Sequence, residues 1–362
     1  MPAAGGRPHP LPPGGGGRVR GPGWRRQVTV AVLDPGLLST VQDLGRFGHR
    51  RHGVVVGGAM DRRSHAVANI LAGNDPGAAT LEMTLMGAAL RFEAETLIAL
   101  AGGGMRGTVG GEAVPLRRPV LLPKGAELRF TPTNIGCRSY LAIAGGVDVP
   151  PVLGSRSTYL RAGLGGFEGR ALKAGDRLPA GAPTALGERL ARLLAAERGG
   201  WPFATTGWSA AADLDPSLRR SPHVRVLPGL QATDFDRDSL AAFHGERFTV
   251  SPRSDRMGYR LDGPVLSLSY PRDLLSEAVT TGTVQVPPEG KPIVLMADAQ
   301  STGGYPRIAQ VIECDLPVLG QLRPGDVLRF VPVGLAEAEE RRRRARLDLR
   351  RLAAGVAAHA GI

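Results

Sequence analysis

Between residues 28 and 330 the chain is a succession of short apolar runs separated by glycine, proline, aspartate or asparagine. Runs this short are typical of β-strands, because helices of globular proteins usually extend over about ten residues or more. The whole chain contains 51 glycines and 30 prolines, many of which supply turn formers in this region. We therefore predict a mainly β fold with few helices. The clearest predicted strands are Val28–Leu33, Leu97–Ala101, Val120–Leu122, Leu141–Ala144, Val224–Leu227, Ile293–Ala297 and Val327–Val331.

Three segments have the spacing of apolar residues that predicts a helix. His65–Leu71 follows Asp61, whose carboxylate is suited to cap the first turn of a helix. Leu186–Arg198 has apolar residues at helical intervals and is followed by a glycine pair at Gly199. Ala336–Leu352 is rich in arginine and glutamate and is predicted to be an amphipathic helix with a solvated charged face.

Segments of the first half resemble segments of the second half, although the offset between them is not constant. The pairs are Leu81–Gly87 with Ser276–Gly282, Gly125–Phe130 with Gly325–Phe330, Arg46–Arg50 with Arg256–Arg260, and Pro151–Gly154 with Pro317–Gly320. Two related β units, each with many short strands, are most simply built as barrels or sandwiches. The predicted organisation is an extension rich in Pro, Gly and Arg without regular structure (1–26), a first β-barrel unit (27–180), a connector with a helix (181–222), a second β-barrel unit (223–335) and an Arg-rich helical tail (336–362).

The formal net charge of +12 is concentrated at the two ends of the chain. Residues 1–26 contain five arginines and no acidic residue, and residues 336–362 contain seven arginines and four acidic residues. The region between them is close to neutral, and aromatic residues make up 5% of the chain. A nucleic-acid-binding surface usually combines clustered positive charge with aromatic side chains, so we do not expect this protein to bind nucleic acid.

Several other classes of protein are also disfavoured by the sequence. The two cysteines, Cys137 and Cys314, lie far apart in apolar contexts, which indicates neither a disulfide framework nor a zinc site. No apolar run is long enough to cross a membrane, and the N-terminal residues lack the apolar segment of a signal peptide. These features predict a cytoplasmic protein with reduced thiols, no membrane association and no bound structural metal.

The strongest candidate for a functional site begins where the predicted strand Ile293–Ala297 ends. There Asp298, Gln300, Thr302 and Tyr305 occur within a few residues of one another, beside two glycines. Such a density of hydrogen-bonding groups is suited to a small polar ligand, whereas a turn that only satisfies its own backbone is the alternative. The equivalent segment of the first unit, around Gly103, has almost no polar side chains, which favours a site in the second unit.

Three further clusters place an arginine among polar residues and glycines. Arg46 lies in the Ser39–Asp61 segment, Arg156 lies between hydroxyl residues, and Arg256 precedes Met257-Gly258-Tyr259. An arginine in such a setting is suited to a carboxylate or a phosphate. For Arg156, an incidental position in a surface loop is equally compatible with the sequence. For Asp61, a catalytic role and a helix-capping role remain open.

Familiar catalytic motifs are missing from the sequence. Gly102–Gly107 has the spacing of a dinucleotide-binding loop, but no helix pattern follows it, so we interpret it as a glycine-rich turn. There is no phosphate-binding P-loop, no HExxH zinc motif and no Gly-x-Ser-x-Gly elbow. No Met-Lys-Met segment is present to carry covalent biotin.

Taken together, these motifs resemble those of the allophanate-hydrolase-subunit-2-like family of biotin-dependent carboxyltransferase-like proteins. The resemblance extends over residues 28–332, with Ser301 and Ala278 as small departures from the family pattern. The motifs that carry it are Ser39–Asp61, Gly145–Pro150, Leu153–Tyr159, Arg256–Leu261, Val284–Pro287 and Gln300–Ile308. It implies two cyclophilin-like β-barrel units.

The resemblance also implies an activity. The leading interpretation is one subunit of an ATP-dependent 5-oxoprolinase, which cleaves the lactam amide of 5-oxoproline to L-glutamate. ATP, with Mg²⁺, is then expected to bind to the assembled complex. The expected partners are an allophanate-hydrolase-subunit-1-like protein (the oxoprolinase B subunit), which shares the site, and the oxoprolinase A subunit. Two alternatives remain: the carboxyltransferase component of a biotin-dependent urea or amide carboxylase, and a non-enzymatic antagonist of a kinase inhibitor.

Side-chain chemistry within these motifs suggests a role for each candidate residue. The carboxylates are candidates for acid–base catalysis, the arginines for anion binding, and the amides and hydroxyls for hydrogen bonds to the substrate amide. The predicted catalytic residues are Asp61, Glu82 and Asp298. The predicted substrate-binding residues are Arg46, Arg156, Arg256, Tyr259, Gln285, Gln300, Thr302 and Tyr305.

Overall fold

The computed structural model describes residues 29–196, 199, 201–214, 218, 220–270, 272 and 274–362. The predicted 1–26 extension lies outside these residues. The described part of the chain is mainly β, as the sequence predicts, with five α-helices. The helices are α1 (Arg62–Leu71), α2 (Ala185–Ala196), α3 (Arg237–Gly245), α4 (Leu316–Gly320) and α5 (Leu335–His359).

The first half of the chain forms two six-stranded sheets, with strand orders β11-β1-β4-β9-β6-β7 and β12-β8-β5-β10-β3-β2. Val30, Leu90, Ile98 and Leu141 belong to the apolar core of this unit. The strands are β1 (Thr29–Asp34), β2 (Leu38–Gln42), β3 (Thr80–Thr84), β4 (Ala89–Phe92), β5 (Thr96–Gly102), β6 (Met105–Val109), β7 (Glu112–Ala113), β8 (Pro119–Leu122), β9 (Glu127–Pro132), β10 (Arg138–Ile143), β11 (Arg177–Pro179) and β12 (Ala204–Thr205).

The second half forms a closed barrel in the order β13-β20-β17-β18-β15-β14-β21, and β16 pairs separately with β19. Phe243 of α3 stacks on Phe330 with ring centroids 4.5 Å apart and helps to fill the core of the barrel. The strands are β13 (His223–Pro228), β14 (Phe248–Val250), β15 (Gly258–Asp262), β16 (Glu277–Ala278), β17 (Thr283–Gln285), β18 (Ile293–Leu295), β19 (Thr302–Gly303), β20 (Arg307–Val311) and β21 (Val327–Pro332).

The internal resemblance is visible in the structure at the start of two strands. Gly125 and Gly325 precede β9 and β21, and they have φ angles of 86° and 89°. Glycine adopts this left-handed conformation readily, so the repeated residue marks the same kind of turn in both units. Gly103 and Gly104 connect β5 to β6, so this glycine-rich segment leads into a strand and not into a helix.

Three helices cover the outer face of the sheet that contains β5 and β10. Val67 of α1, Leu190 of α2 and Val356 of α5 belong to one apolar cluster with residues of that sheet. Every residue of β5 and β10 is buried because both faces of these strands are covered. This packing brings α1, which follows Asp61, close to β3 and to the junction between the two units.

Candidate functional site

Three of the predicted site residues form a buried ion network at the junction of the two units. Nε of Arg256 donates to Oδ2 of Asp298 at 2.9 Å, and Nη2 donates to Oδ1 of the same carboxylate at 3.1 Å. Nη1 of Arg256 donates to Oε1 of Glu82, which lies on β3 of the first unit. Nη2 also donates to the carbonyl oxygen of Gly58 at 2.6 Å. One guanidinium therefore ties the base of the 298–306 loop to the first unit.

The second oxygen of Glu82 is held by the first unit itself. Oε2 accepts hydrogen bonds from the hydroxyl of Tyr140 at 2.7 Å and from the backbone N–H of Met60 at 2.9 Å. Burial opposes the ionised form of Arg256, but the charges of Asp298 and Glu82 outweigh it and raise the pKa of the guanidinium. Burial, and next the charge of Glu82, raise the pKa of Tyr140, so this hydroxyl stays protonated and donates.

Arg138 and Gln321 are members of this network that the sequence motifs did not identify. Nη1 of Arg138 donates to the hydroxyl of Tyr259 at 2.8 Å and to the carbonyl oxygen of Gly320 at 2.6 Å. Oε1 of Gln321 accepts from the backbone N–H of Arg138 at 3.1 Å. The sequence did contain a signal for Arg138, because it is a charged residue at the start of the apolar run that forms β10. Burial raises the pKa of Tyr259 to about 12.

Arg46 is fully buried and approaches the same network from another side. Its Nη2 donates to the carbonyl oxygen of Ser157. Among the described residues, Nη1 of Arg46 has no hydrogen-bond partner. A Cβ atom placed on Gly57 would lie 3.5 Å from this nitrogen and 3.6 Å from Oδ1 of Asp298, so both atoms border the same small space. Burial lowers the pKa of Arg46, while the charges of Asp43 and Asp298 oppose this effect.

The Arg156 side chain contacts a neighbouring segment of the first unit. Its Nε donates to the carbonyl oxygen of Val149 at 2.8 Å, and its guanidinium lies 3.6 Å from the carboxylate of Asp148. The carboxylate of Asp43 accepts from its backbone N–H at 2.5 Å. The structure therefore places the Arg156 side chain in contacts within the first unit.

The polar loop after β18 forms an open rim, which we define as Gln300, Thr302 and Tyr305. Thr302 is exposed in the short strand β19, and Tyr305 is 47% exposed. Beneath them, the buried Gln285 donates from Nε2 to the carbonyl oxygen of Tyr305 at 3.3 Å. From the first unit, Arg50 donates to the carbonyl oxygen of Ser301 at 3.3 Å. The rim is thus supported from below, and Thr302 and Tyr305 are exposed to solvent.

Asp61 occupies the capping position that was one of its two predicted roles. It is the N-cap of α1, where Oδ1 accepts from the backbone N–H of Ser64 at 2.9 Å. Oδ2 accepts from the hydroxyl of Ser64 at 2.6 Å and from Nε2 of Gln321 at 2.7 Å. The carboxylate is fully buried and joins the first turn of α1 to the segment after α4.

Replacing Asp61 with alanine is expected to lower the free energy of unfolding by about 1–3 kcal/mol, because a helix cap and a partner of the buried Gln321 amide are lost together. Urea denaturation measures the loss. The matched control is Asp236→Ala, since Asp236 caps α3 through the backbone N–H of Ser239. If Asp61→Ala lowered the free energy of unfolding by no more than Asp236→Ala does, the combined role of Asp61 as helix cap and partner of Gln321 would be contradicted.

His65 lies on α1 and is fully buried beside Tyr140, with ring centroids 6.1 Å apart. Its Nδ1 lies 2.9 Å from the hydroxyl oxygen of Thr80, and its Nε2 lies 3.3 Å from Nδ2 of Asn69. The amide nitrogen of Asn69 can only donate, so Nε2 accepts and the proton resides on Nδ1. Burial lowers the pKa of His65 to about 4.

The depressed pKa of His65 predicts a loss of stability in mild acid. Between pH ~6.5 and ~4 the unfolded chain binds a proton that the folded protein does not, so the free energy of unfolding falls as the pH is lowered, by up to about 3 kcal/mol in total. Urea denaturation across this window measures the slope. In His65→Gln the part of this fall that is due to His65 is expected to disappear. If the free energy of unfolding of His65→Gln depended on pH as steeply as that of the unaltered protein, the prediction would be contradicted.

Two further properties concern the described residues as a whole. They contain no group of three or more His, Cys, Asp or Glu side chains placed to hold a metal ion. No helix among them is long and apolar enough to cross a membrane.

The structure thus consists of two β-rich units that are joined by a buried ion network near an exposed polar rim. The chain belongs to the family described as carboxyltransferase domain, subdomain A and B, whose model matches residues 52–332. This range includes Asp61, Glu82 and the rim residues, and it ends before α5. The family resemblance predicted from the motifs is therefore confirmed.

Individual relatives point to two activities within this family. The chain is 41% identical to the C subunit of the Escherichia coli 5-oxoprolinase over 309 residues, which cover 85% of this chain and 93% of the relative. It is 32% identical to the urea amidolyase of Lachancea kluyveri, covering 85% of this chain but 17% of that protein. Among solved structures, it resembles the K. lactis urea amidolyase with a TM-score of 0.81 and 30% identity, covering 91% of this chain and 20% of that one.

Proposed function

We propose that this protein is one subunit of an ATP-dependent 5-oxoprolinase that opens the lactam ring of 5-oxoproline to give L-glutamate. The observation that carries the proposal is the 41% identity to the C subunit of the E. coli 5-oxoprolinase, which extends over 93% of that protein. A match along nearly the whole length favours a shared role over the reuse of one part of a larger enzyme.

The geometry of the rim is suited to the chemistry of a cyclic amide. A lactam amide is stabilised by resonance, and its carbon becomes electrophilic when ATP phosphorylates the amide oxygen. Water then adds to this carbon, and the ring carbon–nitrogen bond breaks as the nitrogen takes up a proton, which leaves an acyl phosphate. A second water hydrolyses the acyl phosphate to glutamate and inorganic phosphate. Hydrogen-bond donors placed where negative charge develops on oxygen lower the barrier of such steps. The hydroxyls of Thr302 and Tyr305 and the amide of Gln300 are the candidate donors.

We assign a positioning role to Glu82 and Arg256. Both are buried, and their hydrogen bonds are directed to Asp298, Tyr140 and the backbone of the first unit. They hold Asp298 at the start of the 298–306 loop. Of the three predicted catalytic carboxylates, only Asp298 lies in the loop that carries the rim, so it is the candidate for acid–base chemistry.

The openness of the rim supports a site completed by a partner. Thr302 is exposed and Tyr305 is 47% exposed, whereas a reaction of this kind requires that water be largely excluded. We propose that an allophanate-hydrolase-subunit-1-like protein (the oxoprolinase B subunit) covers the rim. ATP and Mg²⁺ are proposed to bind to the complex assembled with the oxoprolinase A subunit.

Reconstitution tests this proposal. The chain is mixed with the oxoprolinase A and B subunits, and glutamate release from 5-oxoproline is measured with and without ATP. ATP-dependent release that disappears when this chain is omitted is the expected result. A correctly assembled complex that releases no glutamate would overturn the proposal.

The second candidate is the carboxyltransferase component of a urea or amide carboxylase. It is favoured by the family description and by the similarity to the K. lactis urea amidolyase, whose solved structure extends well beyond the part that this chain matches. In this case the protein would transfer a carboxyl group from carboxybiotin, carried on another chain, to urea. Carboxylation of urea by a reconstituted mixture that contains a biotinylated carrier, without glutamate release from 5-oxoproline, would favour this candidate.

A further inference from the structure

A cavity of about 320 Å³ lies between α1, the Glu313–Pro317 segment and α5. Met60, Met296 and Leu316 belong to its apolar lining, and so does Leu349 of α5. Its volume is at the lower end of the range of about 300–1,000 Å³ that is usual for ligand sites. Because the family match ends at residue 332, the α5 wall is contributed by a part of the chain beyond the shared domain.

Positive charge surrounds this otherwise apolar cavity. Its lining includes one acidic residue, Glu313, and four arginines, which are Arg62, Arg63, Arg342 and Arg346. Arg346 lies 3.7 Å from Glu313, so this acidic group already has a basic partner. The remaining arginines give the cavity a net positive charge.

Arg62 and Arg342 are the arginines that remain available. Within the described part of the chain, neither side chain makes a hydrogen bond or an ion pair. The guanidinium of Arg62 lies over the ring of Phe47, with its carbon 5.6 Å from the ring centroid. Burial lowers the pKa of Arg62, and the charge of Glu313 opposes this effect. A guanidinium in such surroundings is stabilised by a carboxylate that accepts two of its hydrogen bonds.

We propose that this cavity binds a small organic carboxylate with a compact apolar body. The carboxylate pairs with Arg62 and Arg342, and the apolar body lies against Met60, Met296 and Leu349. Phe47, which lines the cavity and is 61% exposed, provides a ring face against which an aromatic body can pack. The site is independent of the proposed oxoprolinase activity, because it uses none of the rim residues.

The cysteines of the chain provide a direct test. Cys314 lines the cavity and is partly exposed, whereas Cys137 is 3% exposed and serves as an internal control. N-ethylmaleimide, which alkylates thiols, is added to the full-length protein in the presence of phenylbutyrate. A parallel sample contains phenylbutanol, which has the same phenyl-substituted chain but no charge. Mass spectrometry of the peptides gives the alkylation rate of each cysteine.

With phenylbutyrate at roughly ten times its dissociation constant, alkylation of Cys314 is expected to be about tenfold slower, because only the unoccupied fraction reacts. Phenylbutanol is expected to protect much less. Protection should be lost in Arg62→Gln and in Ala345→Phe, which fills the cavity from α5. It should be retained in Arg344→Gln, a charge-matched change on α5 outside the cavity lining. Each variant is compared with itself in the absence of the probe, so a changed reactivity of the thiol does not affect the result.

Titration calorimetry of phenylbutyrate with the same proteins gives a second measurement that does not depend on the thiol. Binding by the unaltered protein and by Arg344→Gln, but not by Arg62→Gln, supports the proposal. Equal protection of Cys314 by phenylbutyrate and phenylbutanol would overturn the proposal. The absence of binding at millimolar phenylbutyrate would overturn it as well. Protection that only a partner protein confers would overturn it too, because the cavity would then be part of a protein interface.

Discussion

Replacing Arg256 with methionine is expected to lower the free energy of unfolding by about 3–5 kcal/mol, which is the usual effect of removing one partner from a buried ion network. The methionine fills a similar volume, but it leaves the carboxylates of Glu82 and Asp298 buried without their shared cation. Urea denaturation at neutral pH measures the change.

The matched control is Arg260→Met on β15, the strand that begins two residues after Arg256, because the Arg260 side chain is exposed. If the two variants are equally stable, the network does not hold the units together.

A double variant, Arg256→Met with Glu82→Gln, separates charge from packing. It is expected to recover part of the loss, because one of the two carboxylates that Arg256 had paired becomes neutral.

Removing the two hydroxyls of the rim is expected to abolish most of the turnover of the reconstituted complex while the fold remains intact. Loss of a donor to a developing oxyanion typically lowers kcat by about 10²–10³-fold. Thr302→Val and Tyr305→Phe each remove one hydroxyl and little volume. Because both residues are exposed, we expect the free energy of unfolding to remain close to that of the unaltered protein.

The readouts for this prediction are ATP-dependent glutamate release, urea denaturation and co-purification with the partner proteins. Thr131→Val is the control, since Thr131 is an exposed threonine on β9 of the first unit. Full turnover in both rim variants would exclude these hydroxyls from the chemistry. Loss of co-purification together with turnover would assign the rim to the assembly of the complex instead. Gln300→Ala, assayed in the same way, tests the amide of the rim.

The elements that were predictable from the sequence are those that depend on neighbouring residues. The strand prediction Val224–Leu227 falls within β13, and Val327–Val331 falls within β21. The helix start after Asp61 is confirmed because a capping side chain acts on a backbone N–H three residues away. The predicted strand Ile293–Ala297 is shorter in the structure, since regular pairing ends at Leu295 before the polar loop.

The equivalence of Glu82 and Glu277, which the internal resemblance suggested, does not extend to their surroundings. Glu82 is 1% exposed and is bound by Arg256 from the other unit. Glu277 is exposed on β16 and pairs with Arg307. Aligned positions in two related units can therefore have different surroundings, because the junction between the units buries a residue of one unit and not its counterpart.

The sequence by itself determined the mainly β fold, the two related units, the family and the polar loop from Asp298 to Tyr305. These features are encoded in local apolar patterns and in contiguous motifs. Only the tertiary structure decided which distant side chains meet: Arg256 joins Glu82 to Asp298, whereas Arg156 faces Asp148. The reason is physical. The pairing of strands and the packing of the two units fix the direction of each side chain, and no local pattern encodes contacts between residues so far apart in the chain.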